Sequence, residues 1–263
     1  MSLKGKLRPL VERTGLGYRL SLARMRGALG RPARPHAPWH NAVLQTELER
    51  DYAIDQIRSL GLPVMEDRVK NWDSLAALDC ILSNTTRHAR VLDAGAELYS
   101  VILPWLFLYG YRRLQGINLV FNKPERRGPI LYEYGDITRT KYPSASFDAI
   151  TCLSVVEHGV DLRAWLTEMS RILKPGGVLF TSTDYWETPV DTRGQSAYGV
   201  PVRIFSRADV EGIVDTAEGA GLWPTAPLSF VCKDRVVHWK KVALDFTFIS
   251  FALRKGSAVP SPA

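Results

Sequence analysis

Between residues 90 and 181, short apolar runs alternate with stretches of helical period, which predicts βαβ units around a parallel sheet. The expected strands cover residues 90–92 (ending at Asp93), 114–119, 130–134, 147–153 and 178–181. A helix is expected over 101–108, where Pro104 must lie in the first turn or kink the axis. A second, over 162–173, is stopped by Pro175-Gly176-Gly177. Downstream, Ser206 is placed to cap a helix carrying Val210, Ile213, Val214 and Ala217 that ends near 219–221. Residues 229–233 and 236–240 fit a strand pair, or one strand and an insertion, and 246–253 fits a final strand.

Upstream the pattern is helical. Leu44, Leu48, Tyr52 and Ile57 give one stripe, and Asp73 or Ser74 can cap a helix through Leu75, Leu78 and Leu82. Residues 3–29 form a weak amphipathic helix broken up by Gly15, Gly17 and Gly27, and Pro32, Pro35 and Pro38 make 31–38 an extended linker. This divides the chain into a basic leader and linker (1–38), a helical cover (39–89) and an α/β domain (90–256) whose residues 184–205 are read as a loop. The pattern predicts a mostly parallel sheet with helices on both faces beneath that cover.

Composition narrows the function. With 46% hydrophobic residues, 263 residues suffice for one sizeable core. The net charge of +7 is local: nine of the 34 Lys/Arg and a single acid, Glu12, lie within residues 1–40, so the body is close to neutral. A neutral body argues against a nucleic-acid surface, and the leader is read either as touching an anionic membrane or polymer or as a solvated or loosely docked tail. The best apolar runs, 101–111 and 242–253, are interrupted by Pro104 and Asp245, and neither fits a membrane span. Cys80, Cys152 and Cys232 are too far apart in sequence for a disulfide framework or metal knot, which suits a reducing cytoplasm.

An open parallel sheet binds ligands beyond the carboxyl ends of its strands. Asp93, Asn118, Asp136 and the 154–158 segment all fall there. Val91-Leu92-Asp93-Ala94-Gly95-Ala96, Gly116-Ile117-Asn118-Leu119, Gly135-Asp136, Phe147-Asp148-Ala149-Ile150 through Glu157-His158, and Leu173-Lys174-Pro175-Gly176-Gly177-Val178-Leu179 follow in that order. Together they resemble the motif series of class I S-adenosylmethionine-dependent methyltransferases, which implies a Rossmann-like, seven-stranded, mostly parallel sheet, a catalytic domain over 90–256 and a substrate loop at 184–205. The resemblance implies that Asp93 and Gly95 contact the methionine end of the cofactor, Asn118 the ribose, Asp136 and Ile137 the adenine, and that Leu153 and Ser154 line the cleft near the sulfur. It is imperfect: Glu97 and Tyr99 stand where the family has glycines, and Asn118 where it has an acid. Glu97 is a further cofactor-binding candidate. Backbone amides after Gly95 are expected to meet a carboxylate.

His158, just beyond the fourth strand, is the general-base candidate, with Glu157 to orient it and Asp184 as a further catalytic carboxylate. Glu157, Asp184 and His158 are also the one set considered for Mg²⁺. Tyr185, Trp186, Tyr198 and Arg203 of the loop, with His238, are substrate-binding candidates, because aromatics and charged groups suit a sugar. Leu103-Pro104-Trp105-Leu106, taken with the first two motifs, is similar to divergent methyltransferases of bacterial polysaccharide assembly. That likeness implies a sugar or oligosaccharide hydroxyl as acceptor. The alternative is a lipid, quinone or other small metabolite, which requires an apolar cover. A scaffold that has lost catalysis and a dehydrogenase are the other readings, and a homodimer is a plausible assembly.

Overall fold

The structure is a computed structural model that describes residues 12–26, 30–197 and 199–256. Its elements run α1 (Gly15–Arg26), β1 (Ala42–Val43), α2 (Glu47–Ser59), α3 (Lys70–Asn84), β2 (Arg90–Ala94), α4 (Ile102–Leu108), β3 (Arg113–Asn118), β4 (Glu125–Arg127) and β5 (Ile130–Tyr134). They continue with β6 (Phe147–Leu153), α5 (Leu162–Ile172), β7 (Leu173–Tyr185), β8 (Ser196–Ala197), β9 (Val200–Pro201), α6 (Arg207–Gly219), β10 (Leu222–Pro224), β11 (Val237–Trp239) and β12 (Leu244–Lys255).

The main sheet has the order β1-β12-β7-β6-β2-β3-β5-β4, with β10 and β11 also pairing with β12. Five central strands, β7, β6, β2, β3 and β5, are parallel. Every pairing made by β12 is antiparallel, as is that of β4 with β5. The expected seven-stranded, mostly parallel sheet is thus a ten-stranded mixed sheet around a parallel centre. The unexpected strands β1, β4 and β10 have two or three residues each, too few to show an alternating pattern. Residues 229–233 form no regular strand; only an Ala42–Ser229 bridge touches them.

Alternation along the central strands builds two apolar layers. Val91, Ala149 and Val178 face a layer with Trp72, Leu75, Leu78 and Trp105. Their neighbours Leu92, Ile150 and Leu179 face Trp165, Leu166, Met169 and Ile213 on the other side. Helix starts follow local chemistry. Thr46 caps α2 through Glu49 N–H, Asp161 caps α5 through Ala164 N–H, and Ser206 forms a reciprocal capping box with Asp209 on α6. Pro104 falls in the first turn of α4, where it costs no helical hydrogen bond.

Several local expectations change. The buried face of α2 is Ala53, Ile54 and Ile57, while Leu48 is 80% exposed and Leu44 precedes the helix. Asp73 caps nothing: α3 starts at Lys70, and Asp73 is buried in its first turn. The 31–38 segment is docked, since His36 N–H donates to Gln56 Oε1 at 2.7 Å and the Tyr109 hydroxyl donates to Ala33 O at 2.5 Å. Residues 1–11 and 27–29 of the leader and 257–263 lie outside the described residues. Strand β7 runs on to Tyr185, paired with β12 through Asp184–Phe248 and Tyr185–Thr247, so Asp184 and Tyr185 belong to the sheet rather than to a loop.

Candidate active site

A cleft of about 590 Å³ opens at the carboxyl ends of β2, β3, β5 and β6. Its position follows from parallel neighbours ending at one edge, where loops diverge and leave a crevice. Asp93, Gly95, Glu97, Asn118, Asp136, Ile137, Leu153, Ser154 and His158 all line it. Those nine expected positions come together although they span residues 93 to 158.

Gly95 turns the chain at φ +96°, and a Cβ there would stand 2.3 Å from Val155 Cγ2. Only a residue without a side chain lets this turn pass under the 154–158 segment. The Asn118 amide donates to Gly95 O at 3.2 Å while its Oδ1 accepts from Val120 N–H at 3.3 Å, so Asn118 ties two strand ends together as well as facing the cleft. Asp136 Oδ1 accepts both the N–H and the hydroxyl of Thr138, at 2.8 and 2.7 Å, which fixes the carboxylate at the rim. Ser154 has φ +51°, and its buried hydroxyl has no hydrogen-bond partner among the described residues. An unpartnered buried hydroxyl in a left-handed turn is costly unless a ligand completes it.

The amide expectation is corrected. Gly95 and Ala96 N–H both donate to Ile117 O, at 2.8 and 3.0 Å, and Glu97 N–H donates to Ser100 Oγ at 3.0 Å. These amides are committed within the fold and cannot receive a ligand carboxylate. The cleft offers Lys70 instead, the one Lys or Arg lining it among the described residues. Burial pulls its ammonium down, but Asp67, Asp73 and Glu157 together hold it above the ordinary lysine value. Lys70 carried no sequence signal, and Asp73 read only as a helix cap, so neither was expected at the cleft.

Buried carboxyls form the floor. Asp93 accepts from the Thr151 hydroxyl at 2.7 Å, and burial pushes it up to about 7. Asp73 accepts from the Ser182 hydroxyl at 2.6 Å and is raised by burial to about 6. Glu157 accepts from the Thr183 hydroxyl at 3.2 Å. Burial raises Glu157 and Asp184 as well, and their mutual repulsion holds Asp184 higher still. Glu157 and Asp184 lie below the cleft and not on its lining, so neither faces a substrate. His158 is shifted the other way: burial, then Lys70, lowers it and favours the neutral imidazole.

The remaining candidates are elsewhere. Tyr185 is fully buried and packs toward Phe230. Trp186 lies under the Arg235 guanidinium at 4.2 Å. Arg203 stacks on Phe205 at 4.2 Å and pairs with Asp209. His238 pairs with Asp245 at 2.9 Å on the surface. Tyr198 lies outside the described residues. No described residue of 184–205 lines the cleft; Met65, Lys70 and Asp73, upstream of the parallel strands, do so instead. Among the described residues no group of three or more His, Cys, Asp or Glu is arranged to hold a metal, so Glu157, Asp184 and His158 do not form the considered Mg²⁺ site.

Comparison with known proteins agrees with this geometry. A methyltransferase-domain family model matches residues 115–181. The chain is 48% identical over 50 residues to a demethylmenaquinone methyltransferase of Deinococcus radiodurans, covering 19% of this chain and 21% of that one. It is 50% identical over 40 residues to a ubiquinone biosynthesis O-methyltransferase of Xanthomonas oryzae pv. oryzae, covering 15% and 17%. The matched stretches thus span about a fifth of the length of these relatives. A solved S-adenosylmethionine-dependent methyltransferase of Mesorhizobium loti superposes with a TM-score of 0.52 at 17% identity, over 71% of this chain and 98% of that one. The chain thus has the fold of solved S-adenosylmethionine-dependent methyltransferases, and a methyltransferase-domain model matches its central strands.

Proposed function

We propose that the protein transfers a methyl group from S-adenosylmethionine to a hydroxyl of a small, largely apolar acceptor. The observation that carries this reading is the convergence of Gly95, Asn118, Asp136 and the orphaned Ser154 hydroxyl on one cleft with His158. The cradle under Gly95 and the free hydroxyl fit an extended nucleoside. Asn118 takes the ribose hydroxyls, Asp136 and Ile137 the adenine, and Lys70 the methionine carboxylate that the committed amides cannot hold. When bound, the cofactor supplies an electrophilic methyl group.

His158 then serves as the base. A neutral imidazole accepts the acceptor's hydroxyl proton, and positioning in an enclosed cleft supplies much of the remaining rate. Glu157 and Asp184 lie outside the cleft lining, and burial favours their neutral forms, so neither is read as touching the acceptor. A sugar acceptor rested on Tyr185, Trp186, Arg203 and His238, and these side chains are engaged away from the cleft. The apolar side chains lining the cleft include Met65, Val101, Ile102 and Val160. This apolar cover, and the quinone acceptors named for the two matched relatives, favour a ring-bearing metabolite over an oligosaccharide. The protein is read as acting in the cytoplasm; among the described residues no helix is long and apolar enough to cross a membrane.

Calorimetry with S-adenosylhomocysteine tests the cofactor reading. The parent is expected to bind saturably. Asp136→Ala and Lys70→Met are each expected to weaken binding by about tenfold, the loss of one charge-assisted contact. Absence of binding by the parent would overturn the reading.

A further inference from the structure

Seven arginines and one histidine gather at the far end of the sheet, where β2 and β3 begin. Arg19, Arg31, Arg87, His88, Arg112 and Arg113 line one concavity of about 300 Å³. Arg112 and Arg113 also line an adjoining one of about 420 Å³, together with Arg90 and Arg126. Among the described residues no Asp or Glu lines either. The cofactor cleft lies at the opposite ends of the same strands, so the two sites are separate.

The guanidiniums are held in place. Arg31 lies across the backbone of Gly110, so closely that a Cβ there would meet its Nη2 at 3.0 Å. Arg112 donates to Phe107 O and Tyr111 O at 3.2 and 3.0 Å and stacks on the Phe107 ring at 4.6 Å. Burial, then Arg19 and Arg31, lowers the Arg112 value, so the protein leaves this repulsion unrelieved. Positioned like charges without a counter-charge store unfavourable energy that a bound anion releases.

We propose that this concavity is a second binding site, specific for a phosphate-bearing anion. Guanidinium forks match phosphate oxygens in pairs and remain charged at any physiological pH. The same chemistry is carried by a soluble pyrophosphate group and by the headgroup of an anionic lipid. Leu16 and Leu20, 72% and 51% exposed and one turn apart on α1, flank Arg19 and favour the membrane-borne source.

Two probes test the site on the full chain: calorimetry with inorganic pyrophosphate, and co-sedimentation with vesicles of phosphatidylcholine with or without phosphatidylglycerol. Saturable binding that weakens as salt rises is expected. The double variant Arg31→Gln/Arg113→Gln is expected to bind about tenfold more weakly or worse, with melting temperature and S-adenosylhomocysteine affinity unchanged. Binding to the anionic vesicles identifies a lipid headgroup, and binding to pyrophosphate alone identifies a soluble ligand. Failure to bind either probe, equal binding by the double variant, or tighter binding to a duplex oligonucleotide than to both would overturn the proposal. None of these outcomes depends on the methyltransferase reading.

Discussion

Glu157 and His158 are adjacent in sequence and opposite in situation. His158 faces the cleft and is lowered by burial and by Lys70, whereas Glu157 lies beneath the cleft and is raised by burial. The same low-dielectric surroundings disfavour the charged form of each, which moves an imidazole down and a carboxyl up. The base form of His158 exists above its pKa, and that pKa lies below the ordinary ~6.5. Turnover is therefore expected to rise with pH and reach its plateau before about pH 7, measured as kcat/KM against pH. His158→Ala is expected to lose about 10²–10⁴-fold in kcat and to bind S-adenosylhomocysteine as the parent does. A variant with parental kcat across the pH range would remove His158 as the base.

Among the elements, α6 shows how local chemistry and tertiary packing divide the work. Ser206 N–H and hydroxyl both donate to Asp209 Oδ2, at 2.8 and 2.6 Å, and Asp209 N–H returns a bond to Ser206 Oγ at 3.3 Å. This closes the helix start locally, with Arg207 N–H donating to Glu187 O at 3.2 Å from outside the box. Its buried stripe, Val210, Ile213 and Ala217, then fixes which side meets the sheet. Ser206→Ala is expected to cost about 1 kcal/mol, read as a lower denaturant midpoint with an unchanged slope. Strand β7 behaves differently. It continues past the expected 178–181 because β12 pairs with it from Val178 to Tyr185. The strand's length is set by that partner, which carries Asp184 and Tyr185 out of the reach of substrate.

The whole molecule stores several carboxyls beneath its cleft. Asp93 and Asp73 stand at about 7 and about 6 in the folded chain, above the ~3.9 of an exposed aspartate. The folded state therefore holds protons that the unfolded chain has released between those values. The stability tied to these protons is complete below about pH 4 and is lost as pH rises through 6 to 7. The melting temperature is expected to fall from about pH 5 to about pH 8. Asp73→Asn, which retains the shape without the titration, is expected to reduce that fall. A slope identical to the parent's would show that Asp73 does not titrate in this range. Weaker stability near neutrality is the cost of a charged, desolvated floor under a reactive cleft.

The sequence by itself determined the five central strands, the helices between them and the order of turns that face the ligand. Alternation, caps and glycine turns act over a few residues and leave a local trace, so Gly95, Asn118, Asp136 and Ser154 were legible. Only tertiary structure decided the antiparallel additions around β12, the retreat of Tyr185 and Asp184 into the sheet, and the arrival of Lys70 and Asp73 in the cleft from a helix upstream of the parallel strands. Those outcomes depend on pairing and burial between segments far apart in the chain. Such contacts have no period that a linear reading can detect.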